Sequence, residues 1–305
     1  MSIIAENHDP SKVQDGWTKE KNLPVYFVDF GKESTWKKFR IWAWMIAHVR
    51  LFLEADVIHT HDVMFWYYPL RCLLFWKPVY ATFHGDEKVY PPVQSAVLMR
   101  RISAFLASGS INVGSYLEKW YRTKATITIW GAVEKNTMTF KVNNPLRILL
   151  VGRLDPDISI KKYCAILTQL HKQHMPCTFE VCGDGKLRSS ISAFGKVHGF
   201  VDDVNPYISQ ADVVFCSSYL AILEALSHGK RVVAVYDHPM KKDYLEMSPF
   251  AKWICITDSV EKAARYIATK GKTTFSLSEK RDIEIYIQSI SWKAITHQYV
   301  QLWKK

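Results

Sequence analysis

The amino-acid sequence predicts an α/β protein built on parallel sheets, and three features carry that prediction. Short β-branched runs alternate with helix-length segments through most of the 305 residues, the pattern that crossovers between parallel strands produce. The runs fall into two successive series, at 25–30, 56–59, 79–84, 110–113 and 126–130, then at 147–151, 178–182, 197–200, 212–216, 231–236 and 253–257. Between the series, residues 135–145 are polar and close on Asn143-Asn144-Pro145, the composition of a linker.

This divides the chain into an N-terminal domain over 1–142, a second domain over 146–290 and a closing helix over 291–305 able to cross back to the first. Residues 36–50 immediately precede the run at 56–59 and are apolar on most sides, as a buried crossover helix should be. Ser115 and Glu118 have the spacing of a capping box that opens a helix over 116–121. Residues 276–290 and 291–303 read as two closing helices. A doubly wound half opens with a strand and a tight glycine-rich turn, whereas residues 2–5 lead into charged loop residues with no glycine before Gly16. The expectation is an N-terminal domain lacking its first βα unit.

With 48% hydrophobic and 23% charged residues, the chain falls outside the disordered, collagen-like and disulfide-framework classes. The apolar stretches at 41–53 and 65–75 are each interrupted by charge and fall short of the roughly 20 residues that span a bilayer. The first residues lack the basic and apolar regions of a signal peptide, which points to the cytoplasm. Six cysteines stand without any C-x-x-C spacing and read as reduced core residues. A formal charge of +11 favours anionic partners: nucleic acid, acidic lipid surfaces or phosphorylated substrates. No nucleic-acid module or localised basic run accompanies it, so nucleic acid is not an expected partner. The tryptophan and cations of residues 36–50 also suit peripheral contact with an anionic membrane, at its inner face.

The strongest local signal runs from Asp212 to Val235: a strand, the short polar turn Ser217-Ser218, a helix carrying Glu224, and another strand. A helix start at the carboxyl end of a parallel strand offers backbone N–H groups to a phosphate, and a nearby carboxylate can accept from ribose hydroxyls. Read from the residues alone, a capped helix with an exposed glutamate fits equally well.

Further pieces surround it: VGRLDP from Val151, FEVCGDG from Phe179, HGFVDDV from His198, ADVVF from Ala211, LEALSHGKRVVA from Leu223 and SWK from Ser291. In this order they resemble the second domain of family-4 retaining glycosyltransferases, which have two Rossmann-like domains in the GT-B arrangement. ADVIHTH from Ala55, VYATFHGDE from Val79, SINVGS from Ser110 and IWGAVE from Ile129 resemble the first domain of the same family more loosely.

The resemblance implies transfer of a sugar from a nucleotide diphosphate sugar to an acceptor hydroxyl, glycan or lipid-linked, with retained configuration and without metal or other cofactor. Positive or N–H groups must then stabilise the departing diphosphate. It implies that Arg153, after Gly152, binds phosphate, that Glu224 holds the ribose, and that Gly183, Gly199 and Phe200 form part of the wall around the base. It implies that Ser217, Ser218, Tyr219 and Leu220 stand for the donor loop and that His84 lies beside the donor sugar, with His61 a weaker candidate. Three departures accompany these matches. Ile158 stands where the family has a lysine, leaving Lys161 or Lys162 to reach instead. Cys216 occupies the place of the family's first glutamate within a shortened loop, and the glycine-rich loop of the first domain is missing. These departures also admit a nucleotide-binding relative that is catalytically degraded or depends on a partner.

A metal-hydrolase reading of His59, His61, Asp62 and His84 rests on alternate strand residues sharing a face; it leaves the second domain without a role. The sequence Asp155-Pro156-Asp157 reads as ordinary turn chemistry. No metal is assigned.

Overall fold

The computed structural model describes residues 1–7, 14–32, 34, 36–62, 64–85, 89–138 and 142–304, and at Asp157 the backbone alone. Asp86 and Glu87 of the strand-end motif, and residues 139–141 of the linker, lie outside them. The first half contains β1 (Ile3–Glu6), β2 (Gly16–Glu20), β3 (Leu23–Val28), α1 (Lys37–Ala47), α2 (Val49–Glu54), β4 (Ile58–His61), α3 (Met64–Leu73), β5 (Val79–Phe83), α4 (Gln94–Leu106), β6 (Gly109–Val113), α5 (Tyr116–Tyr121) and β7 (Ile127–Ile129). The second contains β8 (Leu146–Val151), α6 (Ile160–Lys172), β9 (Cys177–Cys182), α7 (Arg188–Ser192), β10 (Lys196–Val197), α8 (Asn205–Gln210), β11 (Val213–Phe215), α9 (Tyr219–Ser227), β12 (Arg231–Val235), α10 (Pro239–Glu246), β13 (Cys255–Thr257), α11 (Val260–Lys270), α12 (Leu277–Ser289) and α13 (Trp292–Trp303).

The expected α/β architecture is present. The second half forms a six-stranded sheet in the order β10-β9-β8-β11-β12-β13, every adjacent pair parallel. All five residues of β12 are buried, as a strand covered by helices on both faces requires. The first half holds a four-stranded parallel sheet, β4-β5-β6-β7, whose β5 is buried at every position.

The start of the chain departs from the expected pattern. Ile3–Glu6 is a strand, parallel to β3, and β3 pairs antiparallel with β2 in a separate three-stranded sheet. The β2–β3 turn places Lys21 and Asn22 at φ 47° and 69°, the left-handed pair that a tight hairpin uses. β4 begins and ends two residues later than the expected run, because its register is set by pairing Ile58–His61 against Val79–Thr82.

Ser115 makes no cap. It sits in helical geometry, and its hydroxyl donates 3.0 Å to the carbonyl of Met247 on the other half of the chain. Ser276 and Glu279 do form a capping box, at the start of α12, and the Ser291 hydroxyl caps α13. Asp212 fixes the entry to β8: its carboxylate accepts from the N–H groups of Asn143 and Arg147 and from the Asn143 side chain.

The final helix lies against the first sheet. Ile295 and Leu302 share a buried cluster with Tyr80, Ile111 and Ile129. The Trp303 indole donates 2.9 Å to Nδ1 of His59, whose Nε2 lies 2.8 Å from the Thr82 hydroxyl; Thr82 in turn meets the Tyr299 hydroxyl at 3.2 Å. An indole can only donate, so Nδ1 of His59 must stay unprotonated. Burial, reinforced by His61 and His84, lowers the His59 pKa to about 4. Among the described residues no helix is long and apolar enough to cross a membrane.

Because the folded-state pKa of His59 lies below the ordinary 6.5, the stability it contributes is whole above that value and is lost as pH falls toward 4. Thermal unfolding followed across this window is expected to show a shallower acid slope in His59→Gln than in the parent protein.

Candidate active site

Strand β8 is central, and the chain leaves it to β9 on one side and returns to β11 on the other. The crevice beyond the carboxyl ends at such a reversal is where open parallel sheets bind ligands. Gly152 and Arg153 follow β8, Gly183 follows β9, and Ser217 and Ser218 follow β11 into α9.

The glycines make a close backbone cradle. Gly183, at φ 156°, approaches so near that a Cβ there would lie 1.8 Å from the Gly152 carbonyl oxygen. Its N–H donates 2.8 Å to the carbonyl of Gly199. The three glycines predicted from sequence therefore meet, and Phe200 beside them is 77% exposed, an open ring at the rim.

Arg153 has its guanidinium 3.0 Å from Asp155 and half exposed. Lys161 is exposed in the first turn of α6. Lys162 is committed elsewhere, ion-paired to Asp237 at 2.8 Å and donating to the Tyr236 carbonyl. Glu224 lies in the second turn of α9, half-buried, and its carboxylate makes no hydrogen bond or ion pair among the described residues. Burial and then the charge of Asp203 raise its pKa.

Of the loop before α9, Ser217 is buried and Ser218 exposed, while Cys216 is a buried thiol pushed far up by burial. Leu220 is exposed near Gly131. The ring of Tyr219 does not line an open crevice: it is buried, stacked on Tyr244 with centroids 3.9 Å apart, its hydroxyl donating 2.6 Å to the Tyr244 carbonyl. The Tyr244 hydroxyl accepts from the Tyr219 N–H at 2.9 Å, so one N–H of the helix start is already used.

On the opposing sheet, the parallel pairing of β4 with β5 brings His61 and His84 together, Nδ1 to Nε2 at 3.0 Å. One nitrogen of that contact must carry the proton and the other must accept. Burial, then the neighbouring His84, lowers the His61 pKa, with Asp62 opposing. Asp62, at φ 57°, accepts from the His84 N–H at 2.9 Å and from Arg100 at 3.4 Å. Sequence reasoning passed over Asp62 as a support for His84; its position directly after His61 was the available signal. Both ring nitrogens of His59 are occupied as described above. Among the described residues no three His, Cys, Asp or Glu side chains gather to hold a metal ion.

Three tyrosines join the two sides. The Tyr116 hydroxyl donates 3.2 Å to the His84 carbonyl, its ring meets Tyr244 edge-on at 5.2 Å, and Tyr244 stacks on Tyr219 at the head of α9. Gly85, at φ 84°, is required here, because a Cβ would fall 2.1 Å from the Tyr116 hydroxyl. No sequence pattern marks this bridge.

A raised carboxylate pKa means that the folded state holds the proton more tightly than the unfolded one, so ionised Glu224 costs stability at neutral pH. Glu224→Gln is expected to raise the melting temperature at pH 7–8 by about 1–3 °C, the gain shrinking as pH falls toward 4.5. Calorimetry of ligand-free protein across that range checks it.

Residues 145–285 match the family described as glycosyl transferases group 1, and no curated protein sequence matches the chain. Among solved structures it is similar to Anabaena HepE, crystallised with UDP and glucose, at a TM-score of 0.68 and 16% identity over 92% of this chain and 85% of that one. It is similar to the lipopolysaccharide outer core galactosyltransferase WaaB at 0.64 and 14%, covering 91% and 84%. It is similar to TarM, an S. aureus protein, at 0.66 and 12%, covering 88% of this chain and spanning 58% of TarM's length. At these identities the likeness concerns the fold alone, and the fold is the GT-B arrangement.

Proposed function

We propose that the chain transfers a sugar from a nucleotide diphosphate sugar to the hydroxyl of a glycan or lipid-linked acceptor, retaining configuration and using no metal. The observation that carries this reading is the cradle of Gly152, Gly183 and Gly199 at the sheet reversal, with Arg153 next in the chain after Gly152 and the half-buried carboxylate of Glu224, unpartnered among the described residues, on the helix that follows the adjacent strand β11. The match over residues 145–285 supports it, as does the HepE structure with UDP and glucose.

In this reading residues 146–290 hold the donor, 1–142 face the acceptor, and 291–305 close back over the first sheet. Arg153, Lys161 and the free N–H groups at the head of α9 neutralise the departing diphosphate, where fixed donors are worth most. Glu224 accepts from the ribose hydroxyls, and Phe200 with Gly199 flanks the base. Gly131, facing Leu220, and Ser217–Ser218 border the sugar. His84, held by Asp62 and His61, hydrogen-bonds a sugar hydroxyl or the leaving oxygen. Retention and metal independence follow the family-4 resemblance of the motifs. The cytoplasm is the proposed compartment.

A second reading, nucleotide binding with little transfer, is favoured by the buried Cys216 where a glutamate is expected and by the engagement of Lys162 with Asp237.

Thermal unfolding against a panel of nucleotide diphosphates and their sugars tests the donor site, since a ligand at ~100 times its Kd adds about 2.7 kcal/mol to the folded state. A shift selective for one base is expected, and it should be lost in Arg153→Ala and Glu224→Ala without loss of fold. Unchanged binding in both variants would remove the site assignment. His84→Ala is expected to keep binding and lower turnover about 100-fold; transfer that persists in His84→Ala at the parental rate would place the residue in structure, and loss of turnover on adding chelator would refute metal independence.

A further inference from the structure

The loop after β9 is clamped to the loop after β8. The Leu154 N–H donates 2.8 Å to the Asp184 carbonyl, and the Leu187 N–H donates 2.8 Å to the Leu154 carbonyl. Gly185 is required between them: at φ 154°, a Cβ there would fall 2.7 Å from the Leu154 carbonyl group. The Asp184 side chain is fixed as well. Its Oδ1 accepts 2.8 Å from the Gly185 N–H, and its Oδ2 lies 2.6 Å from Nη1 of Arg188.

An exposed ion pair four residues apart stabilises a fold very little, so stability does not account for this arrangement. Its position does. A Cβ on Gly199 would stand 3.6 Å from Nη1 of Arg188 and 3.8 Å from Oδ2 of Asp184. The pair therefore lies against the third glycine of the cradle, where residue 199 has no side chain to cover it. Arg188 and Asp184 stay 47% and 34% exposed, and Phe200, next in the chain, keeps its ring open.

A fixed acceptor beside a fixed donor, with an open aromatic ring close by, is equipment for reading the edge of a flat heterocycle. Oδ1 of Asp184 is engaged by Gly185, so the reading edge is Oδ2 together with the guanidinium. A lactam edge fits it: the ring N–H donates to the carboxylate and the adjacent carbonyl accepts from arginine. Uracil and guanine carry that edge. Adenine and cytosine set an exocyclic amino group, a weaker donor, beside a bare ring nitrogen. We propose that Asp184 and Arg188 select the base of the donor nucleotide, and that they select a lactam base. The inference rests on the donor reading above and adds to it the residues that decide base choice.

The full chain is titrated with UDP, GDP, ADP and CDP in a calorimeter. UDP or GDP is expected to bind about tenfold or more tighter than ADP and CDP, and whichever does so identifies the base. Asp184→Asn, which can still accept from the Gly185 N–H, and Arg188→Gln are each expected to lower that preference about tenfold with ADP binding unchanged. Arg153→Ala should instead weaken all four. Methylating the lactam nitrogen of the preferred diphosphate should weaken its binding to the parent protein and not to Asp184→Asn. Parental melting temperatures in the ligand-free variants keep the comparison on binding. A preference for ADP or CDP would overturn the proposal, as would a preference undiminished in both variants, and the donor reading would stand in either case. Binding of none of the four would overturn the donor reading and this inference with it.

Discussion

The relation between the two sheets depends on a short column of aromatic rings. Tyr116 reaches the His84 carbonyl from one side, Tyr219 begins α9 on the other, and Tyr244 touches both. Each ring gives its polar end to a backbone group, so the contact satisfies buried hydroxyls while excluding water. Around it, Trp120 donates to Asp243 at 2.8 Å, and Tyr90 stacks on His238 at 4.9 Å. The carboxyl edges of β5 and β11 therefore face one another in a defined register. Substitution at Gly85 would disturb the His84 loop and the head of α9 through the same tyrosine.

The crevice chemistry rests on a different economy. Backbone approach at Gly183 leaves no side chain between the strand ends, and Glu224 sits half-buried with its carboxylate unanswered. A group left in that state is destabilising by itself, and groups so perturbed cluster at functional sites. Its opposite is Asp212, whose carboxylate is fully used by Asn143 and Arg147 and which serves the entry to β8. The two acids lie twelve positions apart in the stretch that gave the strongest sequence signal, and only their surroundings separate their roles.

What the sequence disclosed follows the range of the forces involved. Runs such as Val79–Phe83 and Arg231–Val235 were legible because burial on both faces writes itself as continuous apolar residues. Gly16–Glu20 was not, since a short edge strand of glycine, tryptophan, threonine, lysine and glutamate carries no alternation. The Ser115–Glu118 spacing was a true local pattern that lost to a tertiary partner, the carbonyl of Met247. The glycines of the cradle were legible through motif order, while the burial of the Tyr219 ring was not, because Tyr244 stands 25 residues away. The clasp of Trp303 on His59 spans 244 positions and leaves no local trace.

The chain crosses between the two bodies twice, once through the segment after β7 and once between α12 and α13. These crossings touch: the N–H of Val133 donates 3.3 Å to the carbonyl of Ile290. A backbone bond thus ties the two connections to one another, so that the halves are not joined at two separate places. The halves meet again through the tyrosine column, through Ser115 at the Met247 carbonyl and through Trp120 and Lys119 at the Asp243 carboxylate, so the covalent crossings and the side-chain contacts share the work of holding the two sheets in place.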